Sequence, residues 1–485
     1  MPLRALAVAT LLVAICPSSP AAGDSPEWQR LPKPPLRPFT PQQPIRFVLQ
    51  NGMTVLLQRD TELPLVRGHA RIRGGSRDEP AEKAGLVDLF GDTWRTGGTK
   101  ARTGDALDDF LEARAASVET SGGVDSTTIS FDCLKENLDD VFKIFAELIR
   151  DPAFREDKLS LAKDELNTGI ARRNDNAAQI ASREARKLGY GEGSPYARQP
   201  EYATVARVTR DDLVSWHARY VHPNNVILGI SGDFEPTAME ASVRRAFASW
   251  VKGAPAERPK IPFRDPRPGV YFVAKNDVNQ TNIRMVHLGT TRDNPDYYAI
   301  EVLNQIFGGG FSSRLVSNVR SKKGLAYGVG GGVGTGFDAP GLFQCALGTK
   351  SETTAAAIDA LYEEIENLKK VPFTEEELRR GKDEILNSFI FRFDSRDKVL
   401  GEKMLYEFYG YPPDFMERYR AGVEKVTTAD VARVAQKYVR RQALALLVVG
   451  KAADFDRPLS TFGPVTTIDV TIPGGEPEEA PPGQQ

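Results

Sequence analysis

The chain has 485 residues but only three cysteines and four histidines. Cys16 lies in an apolar stretch at the N-terminus, which leaves Cys133 and Cys345, far apart in sequence. Two such distant cysteines make no disulfide framework, so stability has to come from packed cores. We expect both cysteines to be buried.

The sequence also lacks a charge surplus and, after its N-terminus, any long apolar run. Its 63 Lys and Arg against 65 Asp and Glu give a net charge of −2, which provides no reason to expect nucleic acid or an anionic membrane as partner. No later segment reaches the ~20 apolar residues of a membrane span. Hydrophobic residues make up 41% and charged residues 26%, as in ordinary soluble proteins. The length indicates two or more domains.

The N-terminus has the layout of a secretory signal. Residues 1–4 are a short basic start, residues 5–16 are apolar, and Pro20-Ala-Ala-Gly-Asp24 supplies small residues for cleavage near Ala22 or Gly23. Cys16 suggests lipidation as an alternative, but Ile15 before it is larger than that processing favours. We therefore predict that residues 1–23 are a secretory signal peptide.

Two blocks of the sequence repeat each other at an offset of 218 positions. Each block predicts a helix capped by threonine and then a short strand that ends at glycine. The matching positions are Val208/Val426, Thr209/Thr427, Asp212/Asp430, Tyr220/Tyr438 and Gly232/Gly450. This repetition predicts two domains of one ancestry.

Strands alternate with helices in the same order in both halves, which favours an α+β fold: two homologous domains, each a mostly antiparallel sheet with helices packed on one face. Asn51-Gly52 predicts a hairpin in the first half, and the turn at residues 337–341 predicts one in the second. We place the N-terminal domain at residues 24–250 and the C-terminal domain at 269–460. The proline-rich residues 251–268 are predicted to be an extended linker, and residues 461–485 a disordered tail.

A motif that is almost complete lies between Gly85 and Thr99. This stretch resembles the helix that carries His-x-x-Glu-His in the pitrilysin/insulinase family of zinc peptidases, in which two histidines at i and i+4 hold the metal and the glutamate polarises a water. Asp88, Gly91 and Asp92 stand at those three positions, and Gly169 stands where the family's third ligand is expected. The resemblance, from about Ile45 to Gly450, therefore implies the family's fold without its zinc site.

Neither of two other possible metal sites is favoured. Asp88 and Asp92 could hold a hard cation, but two carboxylates without a third ligand make a poor site, and a solvated helix face is the simpler interpretation. The four histidines offer no zinc site, because only His217 and His222 are close, and a spacing of five puts them on different faces of a helix. We expect structural roles for both.

A second family motif is intact. Arg320 and Tyr327 resemble the family's pair of residues that holds the substrate backbone near the scissile carbonyl, where a charged donor and a phenol stabilise a developing oxyanion. They follow a glycine loop, Gly308-Gly309-Gly310-Phe311, which we expect to contact substrate. The glycines do not form the phosphate-loop motif G-x-x-x-x-G-K-[ST], so we do not expect nucleotide binding. The alternative roles are a charge at a helix end for Arg320 and a strand aromatic for Tyr327.

Relatives of the processing-peptidase kind pair a zinc-bearing subunit with a subunit that carries the Arg/Tyr pair and the glycine loop. The resemblance implies that this chain is the second kind: a non-catalytic, substrate-binding subunit with no cofactor of its own, with peptides as substrates and with zinc in a homologous partner. The predicted signal peptide leads us to expect this chain in the bacterial periplasm. The alternative is a metal-free pseudopeptidase that acts as a binding or scaffold protein in the cell envelope. The missing ligands argue against a self-sufficient peptidase.

Overall fold

A computed structural model describes residues 41–257 and 260–474. The predicted signal peptide and the end of the tail lie outside the described residues. The strands are β1 (Ile45–Val48), β2 (Thr54–Arg59), β3 (Leu65–Arg73), β4 (Ser117–Gly122), β5 (Ser126–Leu134), β6 (Val226–Gly232), β7 (Gly269–Ala274), β8 (Gln280–Leu288), β9 (Thr290–Thr291), β10 (Gly328–Val333), β11 (Thr335–Gly336), β12 (Leu342–Lys350), β13 (Ala445–Gly450) and β14 (Val465–Thr467). The α-helices are α1 (Leu86–Thr96), α2 (Gly104–Glu112), α3 (Leu138–Arg150), α4 (Glu156–Ala171), α5 (Ala177–Tyr190), α6 (Tyr202–Arg207), α7 (Arg210–Tyr220), α8 (Pro236–Phe247), α9 (Tyr297–Asn304), α10 (Thr354–Lys370), α11 (Glu375–Phe389), α12 (Arg396–Tyr409), α13 (Phe415–Lys425) and α14 (Thr428–Tyr438).

The α+β architecture is confirmed, with one six-stranded sheet in each half. The first sheet has the order β1-β2-β6-β3-β5-β4 and the second the order β14-β7-β13-β8-β12-β10. Strand β3 shows why these sequences form half-buried strands: Val66, Ala70 and Ile72 are buried in the core, while Arg67 and Arg71 alternate with them on the opposite face. Most neighbouring strands are antiparallel, although β2 pairs with β6 in parallel, as β7 does with β13.

The repeat predicted from the sequence is confirmed at the level of local structure. Helices α7 and α14 are preceded by Thr209 and Thr427, whose side chains accept a hydrogen bond from the third helical N–H, and in both cases an aspartate carboxylate accepts a hydrogen bond from the backbone N–H of that threonine. Such reciprocal capping satisfies two otherwise unpaired N–H groups. Strands β6 and β13, which follow these helices, occupy the same place in their two sheets.

The second face of each sheet is covered by a helix from the other half, which the sequence did not predict. Helix α5 packs its small apolar side chains on the second sheet, against residues such as Val286 and Leu447. Helix α12 packs Leu400, Met404 and Phe408 on the first sheet. Because each half contributes one such helix to the other, the exchange is reciprocal.

Helix α1 begins at Leu86, directly after Gly85, whose φ of +99° is a backbone conformation that favours glycine. One predicted element, the tail, needs correction. The disordered tail was expected from residue 461, but β14 joins the second sheet beside β7, and Ile468 and Val470 pack on its core. The described part of the linker contains neither helix nor strand.

Within the described ranges, no helix combines the length and the apolar character that crossing a bilayer requires. Cys133 and Cys345 are both buried with free thiols, as the sequence predicted.

Candidate functional site

Arg320, Tyr327 and Phe311 form an exposed cluster on the second half. The Arg320 guanidinium carbon lies 5.6 Å from the ring centroid of Tyr327 and 5.6 Å from that of Phe311. The two rings are among the most exposed apolar side chains that the structure describes, at 91% for Tyr327 and 84% for Phe311. Within the described part of the chain, the Arg320 guanidinium makes no hydrogen bond or ion pair, so its five donors remain available.

Local structure explains how the chain brings these residues together. Arg320 lies on the helical segment Val316–Lys322, which has π-helical geometry, a form common at functional sites. Gly324 ends the segment with φ +65°, and its N–H donates to the Arg320 carbonyl. The Thr349 hydroxyl donates to the Leu325 carbonyl at 2.6 Å and so fixes the turn that leads to Tyr327. Tyr327 lies directly before strand β10 rather than inside it.

The glycine loop has a structural role next to this cluster. A second π-helical segment, Gln305–Gly309, continues α9. A Cβ on Gly308 would meet the backbone of Gly331 in β10 at 2.4 Å, so only glycine allows this close approach. Glu384 of α11, which the sequence did not single out, accepts hydrogen bonds from Gln305 and Ser312 on the two sides of the loop. The contact of Gly308, Gly309 and Gly310 with substrate stays a prediction.

Arg314, in the turn before Arg320, is buried and structural. Its guanidinium makes two hydrogen bonds to Glu377, at 2.7 and 2.9 Å, and a third to the Pro372 carbonyl. Removing one partner of such a buried pair is strongly destabilising. Arg314 is therefore unsuitable as a neutral control for Arg320, although its closeness in sequence suggests that use.

Helix α1 carries the degenerate zinc motif, and Gly91 is packed against strand β4. A Cβ on Gly91 would lie 2.3 Å from the backbone nitrogen of Gly122 and 2.7 Å from the carbonyl carbon of Ser121. The Thr120 hydroxyl donates to the Gly91 carbonyl at 2.6 Å. The position that would hold the catalytic glutamate is thus filled by strand backbone, and no side chain fits there.

The carboxylates of the motif do not form a metal site. Burial and the charge of Asp92 raise the pKa of Asp88, and burial and Glu165 of α4 raise the pKa of Asp92. Gly169, at the expected third-ligand position, has no atom within 4 Å of the place of a Cβ. No group of three or more His, Cys, Asp or Glu side chains among the described residues is arranged to hold a metal ion. The residues present therefore do not fit zinc.

Glu79 closes the N-terminus of α1. Its carboxylate accepts hydrogen bonds from the backbone N–H groups of Gly85, at 3.1 Å, and Val87, at 3.0 Å, two groups that a helix leaves unpaired. Burial raises the pKa of Glu79 to about 7 despite these bonds. This buried carboxyl has a capping role and lies outside the family motif.

The histidines have structural partners, as expected for His217 and His222. The Nε2 atom of His217 donates to the Ile149 carbonyl at 2.8 Å, and His222 is buried with Nδ1 3.0 Å from the Asn224 side-chain oxygen. His287 stacks on Phe343 with ring centroids 4.5 Å apart. Burial lowers the pKa of His217 to about 4, so its ring stays neutral at neutral pH.

The pKa of His217 leads to a stability prediction. Because its folded pKa lies below the ordinary value of ~6.5, the unfolded chain binds a proton between pH ~6.5 and ~4 that the folded chain does not. The contribution of His217 is fully present above this window and is lost as pH falls through it. From pH 7.5 to pH 5, we expect the unfolding free energy of the wild type to fall by up to about 2 kcal/mol more than that of His217→Gln, a variant that keeps a hydrogen-bond donor. Urea unfolding of both proteins at both pH values measures this difference. An equal fall in the two proteins would contradict the prediction.

Comparison with known proteins shows which protein family has this architecture. Residues 54–192 match the family model "Insulinase (Peptidase family M16)", and residues 207–385 match "Peptidase M16 inactive domain". A crystal structure described as a peptidase M16 inactive domain from Pseudomonas fluorescens is 26% identical, covers 86% of this chain and all of its own, and superposes with a TM-score of 0.76.

Sequence relatives carry both peptidase and non-peptidase names. A Rickettsia felis protein called an uncharacterized zinc protease is 25% identical over 346 residues, 70% of this chain and 82% of the relative. A Helicobacter pylori protein called non-peptidase homolog YmxG is 22% identical over 390 residues, 79% of this chain and 88% of the relative. Fold and site thus define a homologue of zinc peptidases without the metal ligands. The chain belongs to peptidase family M16, as a non-catalytic member.

Proposed function

We propose that this chain is the substrate-binding subunit of a heterodimeric peptidase in the bacterial periplasm, with a zinc-bearing homologue as its partner. In this assembly Arg320 and Tyr327 donate hydrogen bonds to the peptide carbonyl at which the partner cleaves. Phe311 and the glycine loop contact the peptide beside them.

The observation that carries the proposal is the exposed Arg320, held between two aromatic rings and without a hydrogen-bonding or ion-pairing partner among the described residues. A structural arginine at a helix end normally acquires a carboxylate or carbonyl, as Arg314 does nearby. An exposed cation without such a partner instead suits an acceptor supplied by another molecule, and a guanidinium fork with a phenol matches a carbonyl oxygen that gains charge.

Local structure positions the backbone of the pair. The helical segment with Arg320, the Gly324 cap and the Thr349 hydrogen bond set the spacing of the two residues along the chain. A backbone arranged before substrate binds reduces the reorganisation needed when charge develops. The Gly91 contact with β4 supports the proposal that the partner subunit performs the catalysis, because this chain has no room for a catalytic glutamate at that position.

Co-purification from the native envelope tests the assembly. We expect a complex with a homologue that contains His-x-x-Glu-His, with an interface well over ~1,000 Å², and with zinc in the complex but not in this chain purified alone. Elemental analysis and peptide hydrolysis of both preparations measure this. About one tightly bound zinc per chain in the isolated protein, or a monomer at micromolar concentration in the presence of the candidate partner, contradicts the proposal.

The scaffold alternative has a different outcome in the same experiment. A pseudopeptidase scaffold co-purifies with proteins that lack the zinc motif, and its complexes show no zinc-dependent hydrolysis. Recovery of such complexes alone would replace the peptidase-subunit proposal.

A further inference from the structure

A cavity of about 380 Å³ lies between the first sheet and helix α12, in the half of the chain without the Arg320 cluster. Its walls come from the outer face of β3, with Arg67, His69 and Arg71, and from Asp397, Leu400 and Met404 of α12. The volume lies in the range of small-molecule sites. Helix α12 crosses from the second half of the chain, so the cavity exists only because of the exchange of helices.

The cavity contains one positive and one negative charge that do not neutralise each other by direct contact. Arg67 is paired with Asp132 at 2.5 Å. The Arg71 guanidinium donates to the Ser126 hydroxyl at 3.1 Å, and no carboxylate among the described residues lies within ion-pairing distance of it. Asp397 accepts a hydrogen bond from the Ser231 hydroxyl at 2.6 Å and likewise has no cation within ion-pairing distance in the described ranges.

His69 lies close enough to Arg71 and Asp397 for both charges to affect its pKa. Burial lowers its pKa most, to about 4, while the positive charge of Arg71 lowers it further and the negative charge of Asp397 raises it. His69 is therefore a neutral imidazole at neutral pH, able to donate one hydrogen bond. Burial also lowers the pKa of Arg71, although Tyr409 and the more distant charge of Asp125 raise it; a cation removed from water in this way gains from an anion in direct contact.

The remaining wall is apolar. Leu400 and Met404 are buried, at 3% and 2% exposure, and Gly229 of β6 also lines the cavity. A Cβ on Gly229 would meet the Met404 sulfur at 2.2 Å, so glycine lets the helix approach the sheet and fixes the width of the cavity. The site thus offers a cation, an anion and an apolar surface.

We propose that this cavity binds a small zwitterion with an apolar side chain, that is, an apolar amino acid or a dipeptide. Arg71 and His69 bind its carboxylate, Asp397 binds its ammonium group, and Leu400 and Met404 contact its side chain. A ligand with both charges satisfies both unpaired groups at once, whereas a simple anion or cation would leave one of them without a partner.

Calorimetric titration of the mature chain tests this site. We expect L-leucine or L-leucyl-L-leucine to bind, and acetyl-leucine and leucinamide, which each lack one charge, to bind ~10-fold or more weakly. Arg71→Met and Asp397→Asn should each weaken leucine binding by ~10-fold or more. Asp397→Asn should also reduce the preference for leucine over acetyl-leucine, which a loss of folding cannot mimic.

Two control variants separate this site from other effects. Arg46→Gln removes an ion pair to Glu407, also on α12, and should leave binding unchanged. Arg320→Ala should also leave it unchanged, because this inference does not depend on the proposed peptidase role. No binding of leucine or the dipeptide at about 10 mM, or equal binding of the ligands that lack one charge, overturns the proposal.

Discussion

Arg320→Ala and Tyr327→Phe are each expected to slow peptide hydrolysis by at least ~10-fold in the assembled complex. The loss of one donor to a developing oxyanion typically costs ~10²–10³ in turnover, and the effect should appear in kcat because the charge develops in the transition state. Arg320→Lys should also be impaired, since a point charge does not reproduce the guanidinium fork. Steady-state kinetics of each reconstituted complex measure the loss, with zinc content and dimer formation unchanged.

Arg379 provides the matched control for Arg320. It is an exposed arginine on α11 whose ion pair is to Asp383, one turn away on the same helix, a contact worth little. Arg379→Ala should leave the rate unchanged. Wild-type rates in the Arg320→Ala and Tyr327→Phe complexes would show that the pair is structural and would favour the scaffold alternative.

Restoring the zinc motif should fail, and Gly91 is the reason. In a Gly169→Glu background that supplies the third ligand, the triple variant Asp88→His, Gly91→Glu and Asp92→His has all of the family's side chains, but the glutamate at position 91 has to displace the backbone of Ser121 and Gly122. Even Gly91→Ala should lower the unfolding free energy by ~1–3 kcal/mol, the usual cost of overpacking. Urea unfolding measures the single variant, and elemental analysis measures zinc in the triple variant.

Gly169 is the control for this prediction. It lies in helix α4 with no atom within 4 Å of the place of a Cβ, so Gly169→Ala should stabilise the chain by ~0.5–1 kcal/mol through helix propensity. A Gly91→Ala protein as stable as wild type, or stoichiometric zinc in the triple variant, would show that the strand can move aside.

The helix caps and the first hairpin turn could be predicted from the sequence. Thr209 with Asp212, and Thr427 with Asp430, cap their helices through bonds within three residues, and the Asn51-Gly52 turn joins β1 and β2 as an antiparallel hairpin. These features depend on neighbours in the chain, so residue type and spacing suffice to predict them.

Contacts between segments that are distant in the chain could not be predicted from the sequence. The small side chains of α5 do not indicate that this helix packs on the second sheet, and nothing around Gly91 identifies the strand that meets it. The exposed rings of Phe311 and Tyr327 could be matched to a family motif, but their common distance from Arg320 depends on the π-helical turn between them. In each case the determining contact is set by tertiary packing.

The reciprocal placement of α5 and α12 has a consequence for how this molecule can move. Each half contributes one helix to the sheet of the other, so cutting the chain in the linker would leave each piece with one uncovered sheet face and one helix without its packing partner. A hinge motion of one half against the other would have to separate both helices from their sheets at the same time. Residues 42–257 and 260–474 therefore form one interlocked body, and in the proposed complex a peptide would have to enter between this body and the partner subunit.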